Sequence, residues 1–204
     1  MESLTWDSQA LWQSDDSRWD GTERRRRQRE GAGLALGVGD AEILDIAVQR
    51  DGCLVAVGRA QAGSLCKMAV VRYQPDGRLD LGLGGEGILF PSDGTGRQVC
   101  IQFDGRILVA GQVDLPEGPR WKILRLLQNG SPDPSFGEAG EIVLPCEPLD
   151  ASMEFSLQTD GKLVLSGNGR FRGGAEGYLV VRLHASGRVD DSFGLGGWAR
   201  FRTH

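Results

Sequence analysis

Histidine is almost absent from this chain, and cysteine is sparse and scattered. Only His184 and His204 occur, and Cys53, Cys66, Cys100 and Cys146 stand far apart with no C-x-x-C pair. A structural zinc site needs four closely organised ligands, so no metal site is expected. Cys53 and Cys100 sit in apolar stretches, where a thiol packs as a small hydrophobe, and no disulfide is expected. A dominant basic charge is missing too: 23 Lys and Arg face 28 Asp and Glu, for a net charge of −5. Without a broad basic field, nucleic acid is excluded as a partner of the body of the protein. The run Arg24 to Arg27 with Arg29 is nearly cancelled by Asp15, Asp16, Asp20, Glu23 and Glu30, so it reads as a solvated segment. No apolar run approaches the roughly 20 residues needed to span a bilayer, and the first residues lack the basic and apolar regions of a secretory signal. No membrane partner is expected, and these residues carry no address.

Glycine is what the chain has in excess. Its 31 glycines among 204 residues are roughly twice what an average usage of about 7% would give. Many tight turns follow, and with them an all-β reading. The 40% hydrophobic content suffices for one core or for a set of stacked repeats.

Laid against itself, the chain repeats three times. Ile46 to Gly58, Val99 to Gly111 and Phe155 to Gly167 are each a short apolar strand, a turn ending in Asp-Gly, and a second apolar strand closed by glycine. Asp-Gly supplies the positive φ angles that hairpin turns require. A second hairpin follows in each unit. Its first strand carries Arg72, Arg125 or Arg182, and its turn is Asp76-Gly77, Asn129-Gly130 or Ser186-Gly187. A loop beginning at Asp80, Asp133 or Asp190 then leads to the last strand, with Leu83 in the first copy where the others have Phe136 and Phe193. Four strands per unit make one blade. The closing glycines lie 53 and 56 residues apart, so insertions fall in loops, as in stacked modules. The expected organisation is a propeller-like array of about three four-stranded antiparallel blades: repeat 1 at 41–97, repeat 2 at 98–150 and repeat 3 at 151–204. Residues 1–40 form an N-terminal segment read as a degenerate half-blade, with Leu34 to Leu36 as its last strand and Trp6, Trp12 and Trp19 covering a sheet edge.

The Gln-x-Asp-Gly hairpins at Gln49, Gln102 and Gln158, the three Arg-containing strands and the Ser-Phe-Gly loops at Ser135 and Ser192 resemble the delta-60 repeat family of bacterial proteins. The likeness covers about residues 41 to 202. It implies a β-propeller-like fold and no general catalytic role, in a family often found in exported or surface proteins.

Repetition also sorts candidate residues. A side chain present in every copy serves the unit, whereas a ligand site draws on positions that differ. Arg72, Arg125 and Arg182 are therefore expected to pair with a repeated carboxylate or carbonyl. The amides of Gln49, Gln102 and Gln158 are expected to bond the adjacent turn. Asp80, Asp133 and Asp190 read as turn caps; no copy has the alternating carboxylate spacing that wraps calcium. The glycine-rich Gly82 to Gly87 opens onto a strand, not a helix, and so lacks a phosphate cradle. No catalytic residue and no cofactor is expected.

The remaining candidates lie on the variable connections between strands two and three: Asp114, Glu117, Arg120 and Trp121 in the second unit, and Arg170, Phe171 and Arg172 in the third. The expected function is a non-enzymatic binding or scaffolding module with a carbohydrate or protein ligand. The alternatives are a glycan-acting hydrolase using loop carboxylates and a purely structural spacer. Closed propellers have typically four to eight blades. Three blades imply an open arc, a larger parent protein, or self-association to complete a ring.

Overall fold

The computed structural model describes residues 40–62, 65–171, 174 and 176–201. The proposed N-terminal half-blade and Arg172 lie outside them. Thirteen strands and no helix make up the described residues. The first sheet is β1 (Asp40–Val48), β2 (Leu54–Ala62), β3 (Leu65–Tyr73) and β4 (Ile88–Leu89), paired in that order. The second repeats it with β5 (Thr95–Ile101), β6 (Ile107–Leu115), β7 (Gly118–Leu126) and β8 (Glu141–Val143). The third comprises β9 (Cys146–Pro148), β10 (Glu154–Leu157), β11 (Leu163–Phe171), β12 (Glu176–Leu183) and β13 (Trp198–Phe201). All pairings are antiparallel.

The sheets stack face to face, and alternation along each strand divides its side chains between two neighbours. Ile107 and Val109 join Val55, Val57, Met68 and Val70 in the core between the first and second sheets. Leu108, Ala110, Trp121 and Ile123 join Leu163, Leu165, Leu179 and Val181 in the core between the second and third. The middle sheet is therefore covered on both faces, and β7 is buried without interruption from Trp121 to Leu126.

The repeated glycine that closes each second strand has a steric cause. The first strand shifts register between Ile43 and Asp45 in the first sheet and between Gly96 and Gln98 in the second. This bulge brings its backbone onto the partner strand. A Cβ at Gly58 would stand 1.8 Å from the Glu42 carbonyl oxygen, and one at Gly111 2.0 Å from that of Thr95; only glycine fits. In the third sheet the bulge has grown into residues 149–153, which split the first strand into β9 and β10, both paired with β11. The third blade thus departs from the expected four strands by insertion at a point the other two already deform.

The hairpin turns differ from a simple two-residue Asp-Gly turn. Gly52, Gly105 and Gly161 donate to the carbonyls of Gln49, Gln102 and Gln158, while each of these glutamines donates its N–H to the residue after the glycine. Only the glycine has positive φ, at +85°, +82° and +82°. This is the three-residue connection of a type I turn closed by a glycine bulge. The preceding aspartate accepts the N–H two residues on, at Cys53, Arg106 and Lys162. It is the glutamine backbone, not the expected side-chain amide, that closes the turn.

Candidate functional site

One end of the stack carries the Asp-Gly turns and the loops before each fourth strand, and there neighbouring blades are joined by a repeated set of contacts. Arg125 donates from Nε to Asp133 Oδ2 at 2.8 Å and from Nη1 to the Ala185 carbonyl of the third blade at 2.5 Å. Its Nη2 reaches the Ser135 hydroxyl at 2.9 Å, and its guanidinium lies over the Phe136 ring. Asp133 also accepts the N–H and hydroxyl of Ser135. Gly137 donates its N–H to the Ser186 carbonyl across the joint. Phe136 is fully buried, and a Cβ on Gly187 of the next turn would stand 3.1 Å from its ring. The expected Arg-carboxylate pairs and turn-capping aspartates are thus present, and they form a joint.

A second cation completes it. Arg106, just after the Asp104-Gly105 turn, pairs with Asp104 and brings Nε to 2.9 Å from Asp133 Oδ2. Lys162 occupies the same position in the third blade, 3.6 Å from Asp160 and 3.3 Å from Asp190. Asp133 feels burial pulling its pKa up, but Ser135 and Arg125 outweigh it and hold the carboxyl below the ordinary range. Asp190 is held lower still, first by the Ser192 hydroxyl, then by its backbone, Lys162 and Arg182.

The first blade keeps the frame of this joint and loses part of its content. Arg72 still bonds Asp80 Oδ2 and the Gln128 carbonyl, both at 2.6 Å, and Gly84 still donates to the Asn129 carbonyl. Yet serine has become Gly82, phenylalanine has become Leu83, and the cation after the turn has become Cys53. All three changes cluster around Asp80. A cleft of about 500 Å³ opens beside Asp80 and Gly82, bordered also by Gln49, Asp51, Arg72, Gln102, Phe103 and Asn129. Gln49 is nine-tenths buried, and neither its Oε1 nor that of Gln102 has a hydrogen-bond partner among the described residues. Phe103 is 81% exposed, and the Arg50 guanidinium lies 3.7 Å above its ring centre. The Gly82 N–H, more than Arg72 and Gln74, holds Asp80 below the usual carboxylate range. Cys53 goes the other way: burial first, then Asp51 and Asp80, push its thiol up.

The residues expected to bind ligand are at the opposite end and do not converge. The strands run further than expected, so that only residues 116–117 separate β6 from β7. Asp114 is an exposed strand residue near Gln112, and Glu117 sits in the turn, its carbonyl 3.3 Å from Arg120 Nη2. Trp121 is 2% exposed, packed 2.9 Å from where a Cβ on Gly167 would be. It fills the core between two blades and offers no free aromatic surface. Arg170 is taken up by Glu147 at 3.2 Å and Glu176 at 2.5 Å, and Phe171 tilts against Trp198. Of the apolar cysteines, Cys53 and Cys100 are only half-buried, whereas Cys146 is buried and its thiol is pushed up to about 12 by desolvation. No group of three His, Cys, Asp or Glu able to hold a metal occurs among the described residues.

Residues 102–136 and 158–193 match the family described as "Domain of unknown function (DUF5122) beta-propeller". The chain carries β-propeller repeats. The matched stretches each run from the Gln-x-Asp-Gly turn to the buried phenylalanine or its counterpart, and so cover one side of the joint just described in the second and third blades. No curated protein sequence matches. Among solved structures, the crystal structure of endo-arabinase from Bacteroides thetaiotaomicron VPI-5482 is similar at 13% identity with a TM-score of 0.41, over 78% of this chain and 60% of that one. This chain thus spans about 60% of that enzyme's length.

Proposed function

We propose that this chain is a non-enzymatic binding module of the delta-60 type, and that its ligand seat is the cleft between the first and second blades. One observation carries the reading: the first unit departs from the repeat at Gly82, and Gly82 lines a cleft of about 500 Å³ together with Asp51 and Asp80. A scaffold residue recurs in every unit. A ligand site is built where the pattern is broken, and small-molecule seats are concave with a few convergent polar groups.

Four carboxyls among the described residues have the character of acceptors and not of a glycosidase's acid. A glycosidase needs one carboxyl raised enough to donate a proton near neutrality. Asp80, Asp133, Asp150 and Asp190 are all shifted downward, by serine, glycine and asparagine donors and by arginine neighbours. Such groups stay ionised and act as acceptors.

The test is a backbone-amide NMR titration with a mixed panel of glycans, peptides and small polar fragments, run beside a reducing-sugar assay. Ligand-dependent shifts at Asp51, Gln102 and Phe103 without product release support the seat. Shifts confined to the 116–117 turn and the Arg170 hairpin would return the site to the opposite end, and sugar release lost on substituting a single carboxylate would make the chain a hydrolase.

A further inference from the structure

Resting on that reading of the cleft, we infer that it takes an alkyl-linked cation, an ammonium or guanidinium group, in place of the one the other two blades supply from their own chain. In those blades a basic side chain after the turn joins two carboxylates: Arg106 joins Asp104 and Asp133, and Lys162 joins Asp160 and Asp190. Asp51 and Asp80 are the equivalent carboxylates of the first blade, and both border the cleft. Their own chain offers Cys53, which remains a neutral thiol. Among the described residues, Asp133 Oδ2 and Asp190 Oδ2 each face two cations, whereas Asp80 Oδ2 faces Arg72 alone.

The orphaned acceptors point the same way independently. The side chains of Gln49 and Gln102 border the cleft, and the Oε1 of each is buried with no hydrogen-bond partner among the described residues. Leaving a buried acceptor unsatisfied is costly, and an ammonium with three N–H groups or a guanidinium with several suits two amide oxygens beside two carboxylates. The two cations already at the rim are committed. Arg72 is bonded to Asp80 and Gln128, and Arg50 lies flat on Phe103. Asp104 is taken up by Arg106, which leaves Asp51 as the bordering carboxylate without a cation among the described residues. The exposed Phe103 ring supplies an apolar wall against which an alkyl stem can lie.

Butylamine, Nα-acetyl-lysine amide and Nα-acetyl-arginine amide are the probes, with butanol and butyrate as neutral and anionic controls of matched stem. The three cations are expected to shift the amide signals of Asp51, Gln102 and Phe103, and the controls are not. Preference for the two amino-acid amides over butylamine assigns the cation to a peptide side chain; parity assigns it to a free amine. Cys53→Lys restores the repeat's own cation. It is expected to weaken cation binding at least about tenfold and to raise the melting temperature by about 2 °C, while Cys53→Ser leaves both unchanged. Undiminished binding by a folded Cys53→Lys protein would overturn the inference. Butanol or butyrate shifting the cleft signals as strongly as the cations would overturn it while leaving the cleft as a ligand seat. If no ligand of either panel moves those signals, both readings fall.

Discussion

The two joints between blades share a frame and differ in filling. At the joint between the second and third blades, Arg125 is saturated by Asp133, Ser135, Ala185 and the Phe136 ring, and Arg106 shares Asp133 Oδ2 with it. At the joint between the first and second, Arg72 keeps Asp80 and Gln128, but serine, phenylalanine and the second cation are gone. The side chain of Asp133 is 3% exposed and that of Asp80 19%. One joint is a finished structural contact and the other an opened copy of it. A repeat needs only its backbone bonds and one Arg-Asp pair to stay assembled, which leaves the remaining positions free to be emptied.

The sharpest way to break this comparison is to remove the same atoms from both joints. Phe136→Ala should cost about 3–5 kcal/mol in urea unfolding, because the ring is enclosed between blades. Asp133→Asn should cost a comparable amount, about 3 kcal/mol, by stranding Arg125 among buried groups. Asp80→Asn, beside open cleft, should cost clearly less than Asp133→Asn. Equal costs at Asp80 and Asp133 would mean the first joint is as closed as the second.

Acid should act on both joints together. Asp80, Asp133 and Asp190 all have pKa values depressed by the fold. Their contribution is complete above the unfolded carboxyl value of about 4 and is lost as pH falls through the lower folded values. Thermal melts should therefore be flat in this respect from pH 7 down to about 5 and drop steeply below about 4. A loss centred between pH 6 and 7 would contradict the assignment. Thiol labelling gives a smaller contrast: Cys146 should resist a disulfide reagent until the protein unfolds, while the half-buried Cys53, Cys66 and Cys100 are modified in the native state. Smallest of all, Gly82→Ser should regain about 0.5 kcal/mol by returning a hydroxyl donor to Asp80. The clearance there is limited only by the Arg72 and Asp80 side-chain ends, each 3.2 Å from the added Cβ.

Much of the frame could be read from the chain because it is periodic. Gln49, Gln102 and Gln158 mark the turns, and the spacing of eight residues from Arg72 to Asp80 recurs at Arg125 and Asp133 and at Arg182 and Asp190. Each such pair became a hydrogen bond. The length of the β2–β3 and β6–β7 hairpins was hidden, since Arg59 to Ala62 and Gln112 to Leu115 carry polar residues that look like loop yet stay paired. Asp114, Arg120 and Arg170 therefore read as loop residues in the sequence and lie on paired strands in the structure. The burial of Trp121 is hidden for a different reason: it depends on Gly167 in another blade, a contact no local pattern reveals. The cleft did leave a trace, in the column Cys53, Arg106, Lys162 beside Gly82, Ser135, Ser192. Reading it required knowing that both columns meet at one aspartate.

The residue after each loop serine gives the array a direction. Leu83 lies beneath Gly130 and Phe136 beneath Gly187, so every unit hands a side chain forward and receives one from behind. Among the described residues, a Cβ on Gly77 would meet nothing within 4 Å, and Phe193 is only half-buried. Such an assembly behaves like a chain of hooks and eyes. Units can be duplicated or exchanged in the same orientation without redesigning the contact, but a reversed unit would present hook to hook, so growth of the array by gene duplication has a single permitted sense.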